Sequence, residues 1–561
     1  MRALAVAPGD TLAAGAAIAF IEPGEDAQAG PAADDGVAAD PDRLRPDLAE
    51  ALARIALTQD AARPEAIARR HAAGQRSARE NIAALLDPGS FSEYGALAIA
   101  AQRRRRSVED LIASTPADGV VAGIGSVNAA ESGAERARCL AVAYDYTVLA
   151  GTQGAMNHKK QDRLFALAER LRLPVVLFAE GGGGRPGDTD TAALTGLDVP
   201  TFAQFARLSG LVPLVGVVSG YCFAGNAALL GCCDVIIATK NASIGMGGPA
   251  MIEGGGLGVV APGAVGPAAM QHANGVVDLL VDDEAAATDA ARKYLSYFQG
   301  RHAAWSAADQ RLLRHAVPEN RRRVYDIRAL IELLADEGSV LELRRGFGLA
   351  MLTAFIRVEG RPLGLIANDP THLGGAIDAD AADKAARFVQ LCDAFDIPIL
   401  SLCDTPGFMV GPAAESRALV RHTSRMFVVG ASLTVPVFTI VVRKAYGLGA
   451  MAMSAGGMHE SVFTAAWPTG EFGGMGLEGY VRLGFRKEME AIADPAEREA
   501  WFEAKVASLY EQGKALSIAS VLEIDAVIDP AETRRWIVAG LDAVPAVAAR
   551  DGKRRVCVDA W

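Results

Sequence analysis

Two stretches far apart in the chain share one order of apolar and polar positions. Leu173-Pro-Val-Val-Leu-Phe-Ala-Glu180-Gly-Gly182-Gly183-Gly-Arg185 and Ile397-Pro-Ile-Leu-Ser-Leu-Cys-Asp404-Thr-Pro406-Gly407-Phe-Met each pass from a proline into an apolar run, then reach an acidic residue and glycine. A run of that length, rich in β-branched residues and closed by turn formers, predicts a buried strand ending in an exposed backbone turn. Around the first stretch the periodicity changes. Met156 to Leu173 and Phe202 to Leu211 have apolar residues at helical spacing, Val212 to Ser219 and Cys233 to Thr239 read as strands, and Gly220 to Asn226 is a turn leading into a helix from Ala227. Gly119 to Asp145 holds short β-rich runs with glycine turns.

The same order returns later at a fixed interval. Asp145 and Asp369, Arg163 and Arg387, Pro174 and Pro398, Glu180 and Asp404, Gly183 and Gly407, and Gly225 and Gly449 are all separated by 224 residues. Pro213 and Pro436 slip by one, as a one-residue loop deletion would produce. Such self-similarity predicts two tandem α/β domains of one fold, built from stacked ββα units with parallel pairing and right-handed crossovers. The expected boundaries are 69–317 and 318–561, with residues near 285 to 335 linking the copies.

The 561 residues suffice for two large cores, and a net charge of -12 argues against general nucleic-acid binding. No apolar stretch is long enough to span a bilayer, so no membrane partner is expected. Seven cysteines without a C-x-x-C pair point to a reducing cytoplasm and no zinc site, and eight histidines lack metal spacing. The metal expectation is therefore none.

Residues 1–22 alternate strand, turn and strand, and residues 23–68 read as a linker followed by a helical lead-in. Ser77-Ala-Arg-Glu80 is a capping box opening a helix that stops at Asp87-Pro-Gly. Arg103 to Arg106 is a run of four arginines, which reads either as a solvated loop or as a phosphate site. There is no Gly-x-Ser-x-Gly elbow, no His-Glu-x-x-His and no phosphate loop ending in Gly-Lys-Ser or Gly-Lys-Thr. What recurs is glycine-rich backbone at a strand end before a helix. Such turns aim unpaired N–H groups at one point, which can stabilise an oxyanion or simply allow close packing.

Several ordered motifs carry a resemblance. Arg76-Ser-Ala-Arg-Glu-Asn-Ile-Ala-Ala-Leu-Leu-Asp-Pro-Gly-Ser-Phe, Pro116-Ala-Asp-Gly-Val-Val-Ala-Gly, Ala386-Arg-Phe-Val-Gln-Leu-Cys-Asp-Ala-Phe-Asp-Ile-Pro, Asp404-Thr-Pro-Gly-Phe, Arg443-Lys-Ala-Tyr-Gly and Ala466-Trp-Pro-Thr-Gly-Glu resemble the carboxyltransferase component of biotin-dependent acyl-CoA carboxylases. That family belongs to the crotonase superfamily. Residues 1–22 resemble the closing half of a biotinyl or lipoyl carrier domain, without the half that holds the modified lysine.

The resemblance implies two crotonase-like spiral domains and a reaction without a protein nucleophile. In that family carboxybiotin releases CO2, the ureido nitrogen removes the α-proton of a short acyl-CoA, and the enolate attacks CO2. It implies a thioester oxyanion hole on the backbone of Gly182 and Gly183, and a ureido oxyanion hole on Leu448 and Gly449. Ala224, Gly225, Gly447 and Met451 would line the acyl-CoA side, and Pro406, Gly407 and Phe408 the biotin side. The usual Ser-Gly-Gly-Ala-Arg and Ala-Tyr-Gly-Gly-Ala patterns read Gly-Gly-Gly-Gly-Arg and Ala-Tyr-Gly-Leu-Gly here, and Leu448 adds bulk to the second donor pair. The implied cofactor is biotin, delivered by a carrier. The implied partners are acyl-CoA, a biotin carboxylase, a biotin carboxyl carrier, and copies of this chain in a hexamer built from dimers. A biotin-dependent decarboxylase or transcarboxylase would use the same two holes. A crotonase-type hydratase would need a side-chain acid or base, for which Glu180, Glu253 and Glu471 are candidates. A non-catalytic assembly subunit would have its turns blocked by side chains.

Overall fold

The computed structural model describes residues 3–4, 19–20, 40–190, 197–545 and 552–561. They fall into two compact units, Met1–Arg54 and Ile55–Trp561. In the first unit Ala3–Leu4 pairs antiparallel with Ala19–Phe20. The remainder of the carrier-like segment, and the linker up to residue 39, lie outside the described residues.

The second unit carries two large sheets and, beside them, a two-stranded pair of Tyr221–Phe223 with Ser243–Gly245. The first takes Ser92–Glu93, Val120–Ser126, Arg138–Tyr144, Val175–Phe178, Leu214–Val218, Val235–Thr239 and Leu279–Val281 side by side in chain order. The second does the same with Leu341–Leu343, Met351–Val358, Arg361–Asn368, Ile399–Thr405, Val437–Tyr446, Phe463–Ala466 and Ala526–Val527. In each sheet the first two pairings are antiparallel and the rest parallel. The central strands of both are buried throughout, as expected of parallel strands covered on both faces.

The predicted helices stand at Ala155–Leu171, Thr201–Arg207 and Gly225–Gly231, and the repeat of the first is Ala379–Ala394. The capping box closes as expected: Glu80 N–H donates to Ser77 Oγ at 3.0 Å, and Ser77 N–H to a Glu80 carboxylate oxygen at 2.7 Å. One core packs within each sheet's own helices, around Phe165 and Leu177 in the first and Phe438 and Trp467 in the second. A third core draws on both sheets, with Val176, Val217, Tyr294, Phe355 and Leu391 among its members.

Candidate active site

The first glycine turn leaves the strand Val175–Phe178 and is held from three sides. Gly183 has φ +87°, and a Cβ there would lie 2.6 Å from the Ala224 methyl, so no other residue fits. Its N–H donates to Asn226 Oδ1 at 2.9 Å. Asn226 is fully buried, and its Nδ2 donates to the carbonyls of Glu180 at 3.1 Å and Gly151 at 3.3 Å. One amide thus ties the start of the helix Gly225–Gly231 to two turns. Gly182 and Gly184 are exposed, and neither N–H has an acceptor among the described residues. The expected donor pair is therefore half committed: Gly182 is open, whereas Gly183 is already bonded to a side chain.

Two ion pairs brace this turn. Arg70, from the helix Pro64–Ala72, holds both oxygens of Glu180 at 2.7 and 2.8 Å. Burial pushes the Glu180 carboxyl up to about 7, against the pull of Arg70. Arg185 closes the glycine run, donating to Thr152 O at 2.8 Å and to Asp118 Oδ1 at 2.5 Å. From Asp118 a buried polar chain runs through Asn157, Gln161 and Tyr144 to Gln153, beneath Gly225.

The second turn repeats the left-handed glycine and has different supports. Gly407 has φ +119°. Its N–H donates to Thr405 Oγ1 at 3.1 Å, and that hydroxyl donates back to Gly407 O at 3.2 Å. The N–H of Phe408 has no acceptor among the described residues, and its ring lies 6.1 Å from that of Phe427. Asp404, beneath the turn, is bonded by Tyr325 at 2.9 Å, Lys444 Nζ at 2.7 Å and Arg443 at 3.1 Å. The helix Gly447–Met453 begins beside it, with Gly449 so close that a Cβ would lie 2.7 Å from Gly407 Cα. Leu448 and Met451 are 61% and 38% exposed, so the Leu448 side chain is not packed over the turn.

Superposing the two halves by their strand pairings corrects one expected equivalence. Tyr221–Phe223 pairs with Ser243–Gly245, and Lys444–Tyr446 pairs with Glu471–Gly473. The residues that follow, Ala224 and Gly447, both take positive φ, 52° and 55°. Gly225 therefore matches Leu448, and Asn226 matches Gly449. The one-residue slip at Pro213 and Pro436 persists through this turn, and the matching interval of Gly225 and Gly449 is coincidental. Upstream of the slip the interval of 224 holds in detail. Thr147 and Thr371 bond Asp145 and Asp369 in the same way, and the bridges Gln153 to Gly184 and Ile377 to Phe408 correspond.

The side-chain acids do not form a hydratase pair. Glu180 is locked to Arg70, Glu253 is exposed, and Glu471 is buried beside Arg321 at 3.4 Å. Among the described residues no cluster of metal-ligating side chains occurs, and all seven cysteines are free.

Residues 69–554 match the family described as the carboxyl transferase domain. The chain belongs to that family. Its relatives include the methylmalonyl-CoA carboxyltransferase 12S subunit of Propionibacterium freudenreichii subsp. shermanii, 33% identical over 440 residues, covering 76% of this chain and 81% of the relative. Another is the biotin-dependent long chain acyl-coenzyme A carboxylase beta4 subunit of Mycobacterium tuberculosis, 32% identical over 469 residues, covering 81% and 85%. Among solved structures, a single-chain, multi-domain long-chain acyl-CoA carboxylase is 61% identical with a TM-score of 0.85 over 89% of this chain. This chain spans about half of that structure, 49% of its length. A transcarboxylase 12S structure, described as a hexamer assembly with methylmalonyl-coenzyme A bound, is 30% identical with a TM-score of 0.77, covering 91% and 98%.

Sequence reasoning missed Asn226 and Thr405 as supports. Asn226 stood in the quoted turn, but its role depends on a register that the coincidental glycine interval obscured.

Proposed function

We propose that this chain moves a carboxyl group between biotin on a carrier partner and the α-carbon of an acyl-CoA. The observation that carries the reading is the pair of repeated glycine turns, each leaving a strand end beside a helix start with uncommitted N–H groups. Family membership supports the same reaction class. The first turn offers Gly182 N–H to a thioester oxygen, with Ala224 and Gly225 beside it. Gly183 acts there as the fixed hinge of the turn. The helix start beside the second turn offers Leu448 and Gly449 N–H, with Gly447 and Met451 on the same helix and Pro406, Gly407 and Phe408 opposite.

The close approach of Gly449 to Gly407 leaves backbone rather than side chain facing the cleft there, which suits a flat polar ring such as the biotin ureido group. Biotin bound at this turn would supply the carboxyl group and the nitrogen that takes the α-proton. The protein's part is electrostatic. Fixed N–H dipoles meet the charge that develops on the thioester oxygen, and each such donor is worth about 3 kcal/mol of barrier in comparable sites. Exposed Leu448 and Met451 and the long-chain activity named for the 61% identical structure favour an acyl tail longer than acetyl or propionyl.

A hexamer built from dimers, working in the cytoplasm with biotin carboxylase and carrier functions, belongs to the same proposal, and the transcarboxylase 12S structure is described as a hexamer assembly. Within the described residues no helix is long and apolar enough to cross a membrane. Transcarboxylation is the second reading, favoured by the 12S relative. The test is the reverse reaction: purified protein, free biotin, and carboxylated acyl-CoAs of increasing chain length, followed by mass spectrometry. Biotin-dependent loss of the carboxyl group is expected. Turnover that is indifferent to biotin would overturn the proposal.

A further inference from the structure

The run Arg103 to Arg106 is fixed against the segment that follows the first glycine turn. Thr189 and Asp190 N–H donate to Ala101 O at 2.8 and 3.0 Å. Asp190 returns its carboxylate to the backbone N–H groups of Arg103 and Arg104 at 3.0 and 3.2 Å, and Gln102 bonds Asp188 at 3.2 Å. The loop is therefore held by its backbone, which leaves the guanidinium groups free for other work.

The four arginines divide by what they touch. Arg106 is spent on Asp110 and Ser114, each at 2.6 Å. Arg105 makes one long contact, 3.4 Å, to Gly187 O. Among the described residues the guanidinium groups of Arg103 and Arg104 have no acceptor, and all three of Arg103, Arg104 and Arg105 are exposed. Nearby carboxylates do not neutralise them. Asp188 is taken by Arg185, Gln102 and the N–H of Ala155, and Asp110 by Arg106. Asp190 accepts from the backbone N–H groups of Arg103 and Arg104.

Position gives this patch a role. Gly187, which Arg105 touches, lies four residues beyond Gly183, so the two are at most about 14 Å apart. That span is comparable to an extended pantetheine arm. A chain with net charge -12 otherwise repels a polyanion, so a local excess of guanidinium beside the turn is where phosphates would be received.

We infer that Arg103, Arg104 and Arg105 form a binding site for the phosphate groups on the nucleotide end of the thioester substrate, here adenosine 3′,5′-bisphosphate in chemical terms. The inference rests on the acyl-CoA reading of the first turn. It assigns the run to substrate binding, with no part in the chemical step.

The test uses the full chain and two variants, R103A/R104A/R105A and the charge-preserving R103K/R104K/R105K. Calorimetric titration with 3′-phosphoadenosine 5′-phosphate reads the site without turnover. Saturable binding to the unaltered protein is expected, weakened about tenfold or more in the alanine variant and largely retained in the lysine variant. No binding, or equal binding to the alanine variant, overturns the inference whether or not the protein turns over. In the biotin-dependent reverse assay the alanine variant should raise KM for carboxyacyl-CoA about tenfold with kcat unchanged, and leave KM for the matching carboxyacyl-pantetheine unaltered. An equal rise for both thioesters would contradict a phosphate site. A loss of affinity only for a separately added biotinylated carrier protein would reassign the patch to that partner and also overturn it. Absence of turnover by the unaltered protein with any thioester would instead count against the proposed reaction, leaving the titration to decide the site.

Discussion

The two glycine turns share a left-handed glycine, Gly183 and Gly407, and differ in what holds them. In the first, a buried side chain from the neighbouring helix, Asn226, grips the turn, and a single arginine grips the acid beneath it. In the second, the turn is held by its own strand through Thr405, and the acid has three partners in Tyr325, Arg443 and Lys444. Positive φ recurs at Gly183 and Gly407, whereas Gly181 at φ 145° has become the strand residue Thr405 and Gly182 has become Pro406, so the supports and part of the backbone have diverged. What the two halves share is a fixed N–H at Gly183 and Gly407, each bonded to a side-chain oxygen, whereas the open donor Gly182 is matched by Pro406, which has no N–H. The helices show the same contrast. Arg387, on the nearly fully buried helix Ala379–Ala394, reaches Asp234 O at 2.7 Å, whereas its counterpart Arg163 is exposed.

This comparison can be broken by substitution, beginning with the acids. Arg70→Met leaves Glu180 buried without its cation and should destabilise the protein by about 3–5 kcal/mol in urea unfolding. Lys444→Met, with two partners of Asp404 remaining, should cost about 1 kcal/mol. Equal losses would show the two supports to be equivalent. At the turns, Gly183→Ala collides with Ala224, while at Gly407 the nearest atom to an added Cβ is Tyr446 O at 3.6 Å. The first variant should lower kcat about 100-fold and the second about tenfold, read in the reverse assay. Asn226→Ala orphans Gly183 N–H and should cost about 2 kcal/mol, against about 1 for Thr405→Val, by the same unfolding measurement.

A subtler pair is Lys160 and Lys384, equivalent in the repeat and both buried. Burial lowers Lys160 to about 8 and Lys384 to about 7, from an ordinary value of 10.5. Between the folded and unfolded values the unfolded chain binds more protons, so the unfolding free energy rises with pH from about 7 toward 10. Lys384→Met should flatten the lower part of that rise and leave the Lys160 contribution above about 8. The smallest effect is at Ala224, which holds φ 52° and ψ -122° where the second half has glycine. Ala224→Gly should raise stability by about 1 kcal/mol.

Much of the fold was legible because strand ends and turns impose residue types. The prolines, the apolar runs and the acid–glycine sequence located both central strands to within two residues, and the family motifs located both turns. What stayed hidden depends on distance in space. Gly183 looked like a free donor, and only its 2.9 Å bond to Asn226, 43 residues later, shows it to be committed. The register after the slip was also hidden, since Gly225 and Gly449 agreed with the wrong interval while positive φ at Ala224 and Gly447 gives the right one. Leu448, read from sequence as bulk added to the second donor pair, is exposed, on the opposite side of the helix start from the buried Gly449 and Ala450.

The central claim is carboxyl transfer from biotin to an acyl-CoA, and a single-turnover experiment tests it most directly. A carrier protein charged with 13C-labelled carboxybiotin is mixed with this protein and a long-chain acyl-CoA, and both carriers of the label are followed by mass spectrometry. The account predicts that the label appears in the carboxylated acyl-CoA within the time of one turnover, and about 100-fold more slowly with Gly183→Ala. Label that remains on the carrier, or is lost only as bicarbonate while the acyl-CoA stays unlabelled, would contradict it.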